Sequence, residues 1–204
     1  MADEKIYLYP VWIRIWHWFN ALSFITLTIS GLSMQYSNID FTILPFELSV
    51  TLHNFSGIAV IILTTFFIVV NRFTRNGDYY NIKLKSLATR LTNQSKYYLF
   101  GIFKGESCPY PVSLERKFNP LQRLAYVLVM YIFYPVLIIS GIGLFYPELI
   151  PMNFLGLNGI LLTAILHATL GFICSLFLIV HVYLCTMGKK PGSLYKGMIT
   201  GYHQ

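Results

Sequence analysis

The stretch ILLTAILHATLGFICSLFLIVHVYLCTM, residues 160–187, decides how this chain is read. It holds no Lys, Arg, Asp or Glu, yet it carries two histidines, His167 and His181. About 20 largely apolar residues suffice for a helix to cross the hydrocarbon of a bilayer, and this stretch exceeds that. Three other stretches qualify on the same reading: residues 15–36, 51–70 and 121–146. Pro135 lies inside the third, where it is expected to kink the helix and a surrounding bundle to tolerate the kink. The whole composition agrees. Of 204 residues, 55% are hydrophobic, 17% aromatic and 11% charged, and mean hydropathy is +0.59. Soluble domains carry about 25% charged residues, so lipid, not a large aqueous core, is the expected solvent.

Charge orients the spans. Nine of the fifteen Lys and Arg fall between Arg72 and Lys117, and Lys189, Lys190 and Lys196 follow the last span. The first connection, 37–50, has Asp40 and Glu47 and no cation; the third, 147–159, has only Glu148. Positive residues remain on the cytoplasmic side. The fold class is therefore an all-α membrane protein, a four-helix transmembrane bundle with both termini inside, forming one membrane domain over 1–204. Residues 72–118 form a basic cytoplasmic loop, some of whose cations serve a partner or anionic lipid. The stretch 84–103 has a weak pattern for an interfacial helix. The net charge of +7 distributes as topology demands, so nucleic acid is not expected as a partner. Trp12, Trp16 and Trp18 read as an aromatic belt at the inner edge. The first apolar stretch is too long, and lacks a small-residue cleavage site, for a removable leader. Cys108, Cys174 and Cys185 form no CxxC or CxxCH, which excludes covalent haem attachment and zinc ribbons.

Four of the five histidines carry the chemistry; His203 in the tail gives no reason to ligate. His167 and His181 are 14 residues apart, so they differ by about 40° around the helix and by roughly 21 Å along it. They share one face at two depths. Topology sets His17 on the inner side with His181, and His53 on the outer side with His167. Two neutral imidazoles facing each other from different helices suit the two axial positions of a haem iron. An inner haem on His17 and His181 and an outer haem on His53 and His167 are expected. Gly57 and Gly171 each follow a ligand by four residues, and Gly31 follows His17 by 14, so all three sit where a porphyrin needs clearance. Gly141 and Gly143 lie at the outer end of the third helix; packing through small residues is the alternative for all five. Arg14, one turn before His17, is the candidate for the inner propionates, or a topology charge at the interface.

These residues resemble a known family. Arg14-Ile15-Trp16-His17-Trp18-Phe19-Asn20-Ala21, followed by Ser30-Gly31, is similar to the first helix of the bacterial dihaem cytochromes b. That family includes the gamma subunit of formate dehydrogenase and the cytochrome b subunits of nickel–iron hydrogenases and thiosulfate reductases. Leu52-His53-Asn54-Phe55-Ser56-Gly57 resembles its second-helix motif, and Leu166-His167-Ala168-Thr169-Leu170-Gly171 with His181 its fourth. Phe118-Asn119-Pro120-Leu121-Gln122-Arg123-Leu124-Ala125-Tyr126 is similar to the start of the third helix in two of its branches. The resemblance implies two haem b with the partition above, and a location in the bacterial inner membrane. It also implies menaquinone or ubiquinone beside the inner haem, near Asn119 and Gln122. Both side chains can bond quinone carbonyls; helix capping by Asn119 before Pro120 is the competing role.

The function expected is a membrane-anchoring cytochrome b subunit. It would pass electrons between quinone and an iron–sulfur or multihaem cytochrome subunit on the outer face. The chain has no catalytic metal or pterin motif, so the substrate reaction would belong to that partner. One alternative is a self-sufficient superoxide:quinone oxidoreductase, although cation-free outer loops do not attract an anion. The other is a haem-free anchor or transporter scaffold.

Overall fold

The computed structural model describes residues 6–38, 42–154, 156–187 and 192–203. Of the charges used above, Asp40, Lys189 and Lys190 lie outside the described residues. The framework is four long helices: α1 (Val11–Tyr36), α2 (Phe46–Phe73), α4 (Pro120–Phe145) and α5 (Gly159–Thr186). Each starts where a residue blocks or caps the chain before it. Pro10 and Pro45 precede α1 and α2. Asn119 caps α4, and Asn158 accepts a bond from the Leu161 N–H at the start of α5. α1 and α2 therefore begin about a turn earlier than their apolar runs, at the proline rather than at the first lipid-like residue.

Three of the four, α2, α4 and α5, are long and apolar enough to cross a membrane. α1 is 26 residues long, but Arg14, His17, Asn20 and Gln35 lower its mean hydropathy. Small hydroxyl side chains are buried in the bundle beside an aromatic and aliphatic core, while many large apolar side chains face outward. Ser30, Ser33, Ser49, Ser56, Ser140 and Thr64 are buried, while Ile139 is 71% and Ile179 64% exposed. Water would not tolerate that pattern, whereas lipid solvates the isoleucines and small polar residues let helices approach. α1 packs chiefly on α2, and α4 on α5. Two hairpins thus face each other, touching at mid-length where Thr28 Oγ1 lies 3.4 Å from Ser175 Oγ.

Pro135 does not simply bend α4. The turn ahead of it, Val129–Phe133, opens into a π-helix. Proline has no N–H and its ring crowds the carbonyl four residues back, so the ladder widens to accommodate both. The bulge turns Tyr134 inward, onto the Phe24 ring and within 3.3 Å of Asn20 Nδ2.

One end of the bundle gathers the cations. The connection after α2 forms a 3-10 turn (Arg75–Tyr80) and then α3 (Leu87–Lys96), which continues helically through Lys104. The weak helical pattern over 84–103 is thus realised. Both chain ends come to this same end: β1 (Ile6–Tyr7) pairs with β4 (Tyr202–His203), and the short α6 (Ser193–Thr200) lies beside α1. The opposite end is closed by a hairpin of β2 (Asn153–Phe154) and β3 (Leu157–Asn158).

Two side chains at the cationic end depart from expectation. Trp16 is no belt residue: it is buried, donates to the Leu63 carbonyl at 2.8 Å and stacks on Phe67. Trp18 is exposed and reaches the Met198 carbonyl. Lys117 was counted as a loop charge, yet it is 2% exposed. Its ammonium donates to Asn76 Oδ1 at 3.1 Å and lies over the rings of Tyr9, Tyr79 and Phe118. Burial pushes it down from the usual lysine value to about 8. The cation–π contacts fasten the N-terminal segment and the loop to the start of α4.

Candidate functional site: two facing histidine pairs

The face shared by His167 and His181 on α5 meets one imidazole from α2 and one from α1. His53 and His167 have ring centres 6.2 Å apart, and His17 and His181 are also 6.2 Å apart. The structure brings together both pairs expected from the sequence. His181 pairs toward the cationic end, His167 toward the β2–β3 end.

The pair toward the hairpin end is held by hydroxyls. Ser30 Oγ lies 3.0 Å from His53 Nδ1, and Ser140 Oγ 2.9 Å from His167 Nδ1. Each hydroxyl donates its one proton to a carbonyl of its own helix, Ser30 to Thr26 at 2.6 Å and Ser140 to Leu137 at 3.1 Å. With the hydroxyl protons so directed, the serine oxygens accept from Nδ1–H, the tautomer that leaves Nε2 with a free lone pair. Glycines let the helices come this close. A Cβ on Gly31 would lie 3.4 Å from His53 Cε1, and one on Gly141 3.2 Å from His167 Cε1. The immediate clearance at Gly31 is thus for the His53 imidazole. Gly143 instead packs against Ile150.

The same arrangement therefore occurs twice: Ser-Gly on the first helix of a hairpin, His-x-x-x-Gly on the second. Ser30-Gly31 serves His53 and Gly57, while Ser140-Gly141 serves His167 and Gly171. From the sequence, Ser30 enters only as part of the Ser30-Gly31 motif and Ser140 not at all; neither is read there as a partner of an imidazole. The recurrence of Ser-Gly in the first and third apolar stretches was the signal that could have found them.

The other pair is built differently. His17 Nδ1 is buried and has no hydrogen-bond partner. His181 stacks on Phe177, and the Tyr126 ring stands edge-on to it. Arg14, one turn ahead of His17, lines a groove of about 330 Å³ between α1 and α6. One of its Nη atoms bonds the Ile199 carbonyl, and its Nε is buried without a partner.

A haem iron is a physical fit to both pairs. With an iron about 2 Å from each ring nitrogen, and each ring centre about 1 Å further back, two axial imidazoles have centres about 6 Å apart. The fit also needs room for a flat macrocycle at the ligand's side. A Cβ built on Gly57 or on Gly171 meets no heavy atom within 4 Å. Among the described residues, no three His, Cys, Asp or Glu side chains gather as a metal site. Two imidazoles and no third protein ligand suit a metal whose other four positions belong to a cofactor.

Asn119 and Gln122 are engaged with each other. Asn119 Oδ1 accepts from the Gln122 N–H at 2.9 Å, and Gln122 Oε1 accepts from the Asn119 N–H at 3.2 Å. Asn119 Nδ2 donates to the Tyr98 hydroxyl at 2.7 Å. The capping box and the Tyr98 bond together use three of the four side-chain polar atoms and leave Gln122 Nε2 for another partner.

An apolar helical bundle with imidazoles paired across it at two levels defines a membrane cytochrome of the b type. The model of the prokaryotic cytochrome b561 family matches residues 8–201, and this chain belongs to that family. A relative from Escherichia coli (strain K12), named "Putative cytochrome YdhU", is 38% identical over 201 residues, which is 98% of this chain and 76% of the relative. Membership makes the chain a bacterial membrane protein that binds haem b and transfers electrons.

Proposed function

We propose that this chain is the membrane subunit of a quinone-linked oxidoreductase, holding two b haems. It passes electrons between quinone and an iron–sulfur or multihaem cytochrome partner on the outer face of the inner membrane. The observation that carries this reading is the equal 6.2 Å spacing of two histidine pairs sharing one helix. His53 and His167 would hold the outer haem, His17 and His181 the inner.

Orientation follows from charge. All four long helices cross the bilayer as one domain, with the cationic end, the loop 72–118 and both chain ends in the cytoplasm. The meeting of the chain ends through β1 and β4 is consistent with an even number of crossings.

Haem, when bound, supplies the one-electron chemistry; the chain supplies geometry and a dry path. Ser30 and Ser140 hold the Nδ1 protons of the outer ligands, so that both Nε2 atoms are free to ligate. Gly57 and Gly171 keep the macrocycle's side clear. Arg14, with an unpartnered Nε, is suited to a propionate. Gln122 Nε2, beside the inner pair's end of α4, is the donor suited to a quinone carbonyl, while Asn119 mainly orders the helix start.

Purified protein should contain two haem b per chain and give b-type bands in a reduced-minus-oxidised spectrum. An iron-free, colourless preparation with intact helix content would remove the proposal. Gln122→Ala should raise the KM for quinone while leaving haem content unchanged; an unaltered KM would take Gln122 out of the site.

A further inference from the structure

Away from the histidines, the cationic end contains a second built site. Lys83, Arg90, Arg116 and Arg123 line one cavity of about 100 Å³. They come from four separate places. Arg90 is on α3, and Arg123 is in the first turn of α4. Lys83 precedes α3. Arg116 ends a tight turn closed by two reciprocal backbone bonds with Ser113, each 3.0 Å.

What holds these side chains does not neutralise them. Arg90 donates to the Lys83 carbonyl, Arg123 Nη1 donates to the Asn81 carbonyl at 3.2 Å, and Arg116 sits over the Tyr110 ring at 5.8 Å. The Nε atoms of Arg90, Arg116 and Arg123 are all buried without a hydrogen-bond partner. Arg123 is within Coulombic reach of both Arg90 and Arg116. Among the described residues, no carboxylate forms an ion pair with any of the three. Buried donors without acceptors and like charges at close range both raise the free energy. A lysine could escape by losing its proton; a guanidinium does not. An anion resolves both problems together.

We propose that this cavity binds the phosphate of an anionic phospholipid. Guanidinium forks from three directions suit a tetrahedral oxyanion. The cavity holds the liquid volume of about three waters, room for one phosphate group. The lipid source follows from the surroundings. Leu84 follows Lys83 directly and Leu114 stands two residues before Arg116; they are 79% and 65% exposed. A phosphate beside large exposed apolar side chains and the start of an apolar helix is the surface a phospholipid presents with its glycerol and chains.

The test uses the full chain in mild detergent after delipidation. Phosphatidylglycerol, phosphatidylcholine and inorganic phosphate are titrated separately, and bound lipid is counted by native mass spectrometry. Phosphatidylglycerol should bind at least tenfold tighter than phosphatidylcholine. The triple variant Arg90→Gln, Arg116→Gln, Arg123→Gln should lose that preference. Arg116→Gln alone, on a surface turn outside the long helices, should lose most of it with helix content unchanged. Lys104→Gln, on the same loop but outside the cavity, should keep it. Equal binding of the two lipids by the unmodified chain would overturn the proposal. So would a preference that survives Arg116→Gln, or one that Lys104→Gln removes equally. Inorganic phosphate displacing phosphatidylglycerol at equimolar concentration would show a site for free phosphate and overturn the lipid assignment.

Discussion

The two histidine pairs have the same spacing and different construction. The pair toward the hairpin end comes from equivalent positions of two equivalent hairpins, and each ring has a serine on Nδ1. The pair toward the cationic end joins the first helix of one hairpin to the second helix of the other. There His17 Nδ1 has no partner and His181 lies among aromatic rings. A hydrogen bond from Nδ1–H to an oxygen makes an imidazole a stronger donor to metal and locks its orientation. One end of the bundle therefore fixes its histidines by bonding, and the other by packing.

The largest effects should come from removing a ligand. His181→Ala should cost the inner haem and leave the outer bands of the reduced spectrum. His167→Ala should do the reverse. Equal loss of both haems from either variant would show that the pairs do not act as separate sites. Gly171→Leu is a finer instrument. The added side chain starts in open space, so helix packing should survive. Most of the outer haem should nevertheless be missing, because leucine occupies the macrocycle's side. Full haem content in this variant would mean that the glycine serves packing alone.

The serines predict a shift without a loss. Ser30→Ala with Ser140→Ala should keep both haems. The outer midpoint potential should rise, because weaker donation from the histidines disfavours the ferric state, and the inner midpoint should stay in place. An unmoved outer midpoint would erase the functional contrast between the two ends.

How much of this was legible without coordinates follows from the same contrast. Apolar length located the helices, because lipid imposes one simple demand on every residue of a span. The 100° arithmetic on His167 and His181, joined to the charge of the loops, paired all four imidazoles. What stayed hidden depends on how neighbouring helices rotate against each other. Ser30 and Ser140 matter only because α1 and α4 turn them toward α2 and α5. Trp16 has belt composition and a core position, since Phe67 happens to lie across from it. Lys117 looks like one cation among nine, and nothing local reveals that three rings from separate segments close over it.

Lys117 offers a test at the cationic end that is independent of haem. Its folded value of about 8 lies below the unfolded value of about 10.5. Below pH 8 both states are protonated and the folded chain carries the full desolvation cost. Between pH 8 and 10 the unfolded chain holds more protons, so stability should rise with pH, by about 3 kcal/mol at the limit. Tyr9, raised to about 12 by burial, opposes this rise above pH 10, where an unfolded tyrosine ionises first. Thermal unfolding of the protein should show this rise, and Lys117→Met should abolish it. A rise that persists in Lys117→Met would assign the proton to another group.

The smallest effect separates the two bonds of Asn119. Its Oδ1 caps α4 and its Nδ2 holds Tyr98. Asn119→Ala loses both and should destabilise the cationic end by about 1 kcal/mol, the usual worth of an N-cap. Asn119→Asp keeps the acceptor for the Gln122 N–H and places negative charge at a helix N-terminus, which is favourable. It lacks the donor to Tyr98, whose hydroxyl can instead donate to the carboxylate. Thermal midpoints should therefore rank Asp level with Asn and well above Ala. If Asp falls to the level of Ala, the Tyr98 contact rather than the cap organises the start of α4. The packing of the loop, not the helix terminus, would then govern the end of the bundle that holds His17 and His181.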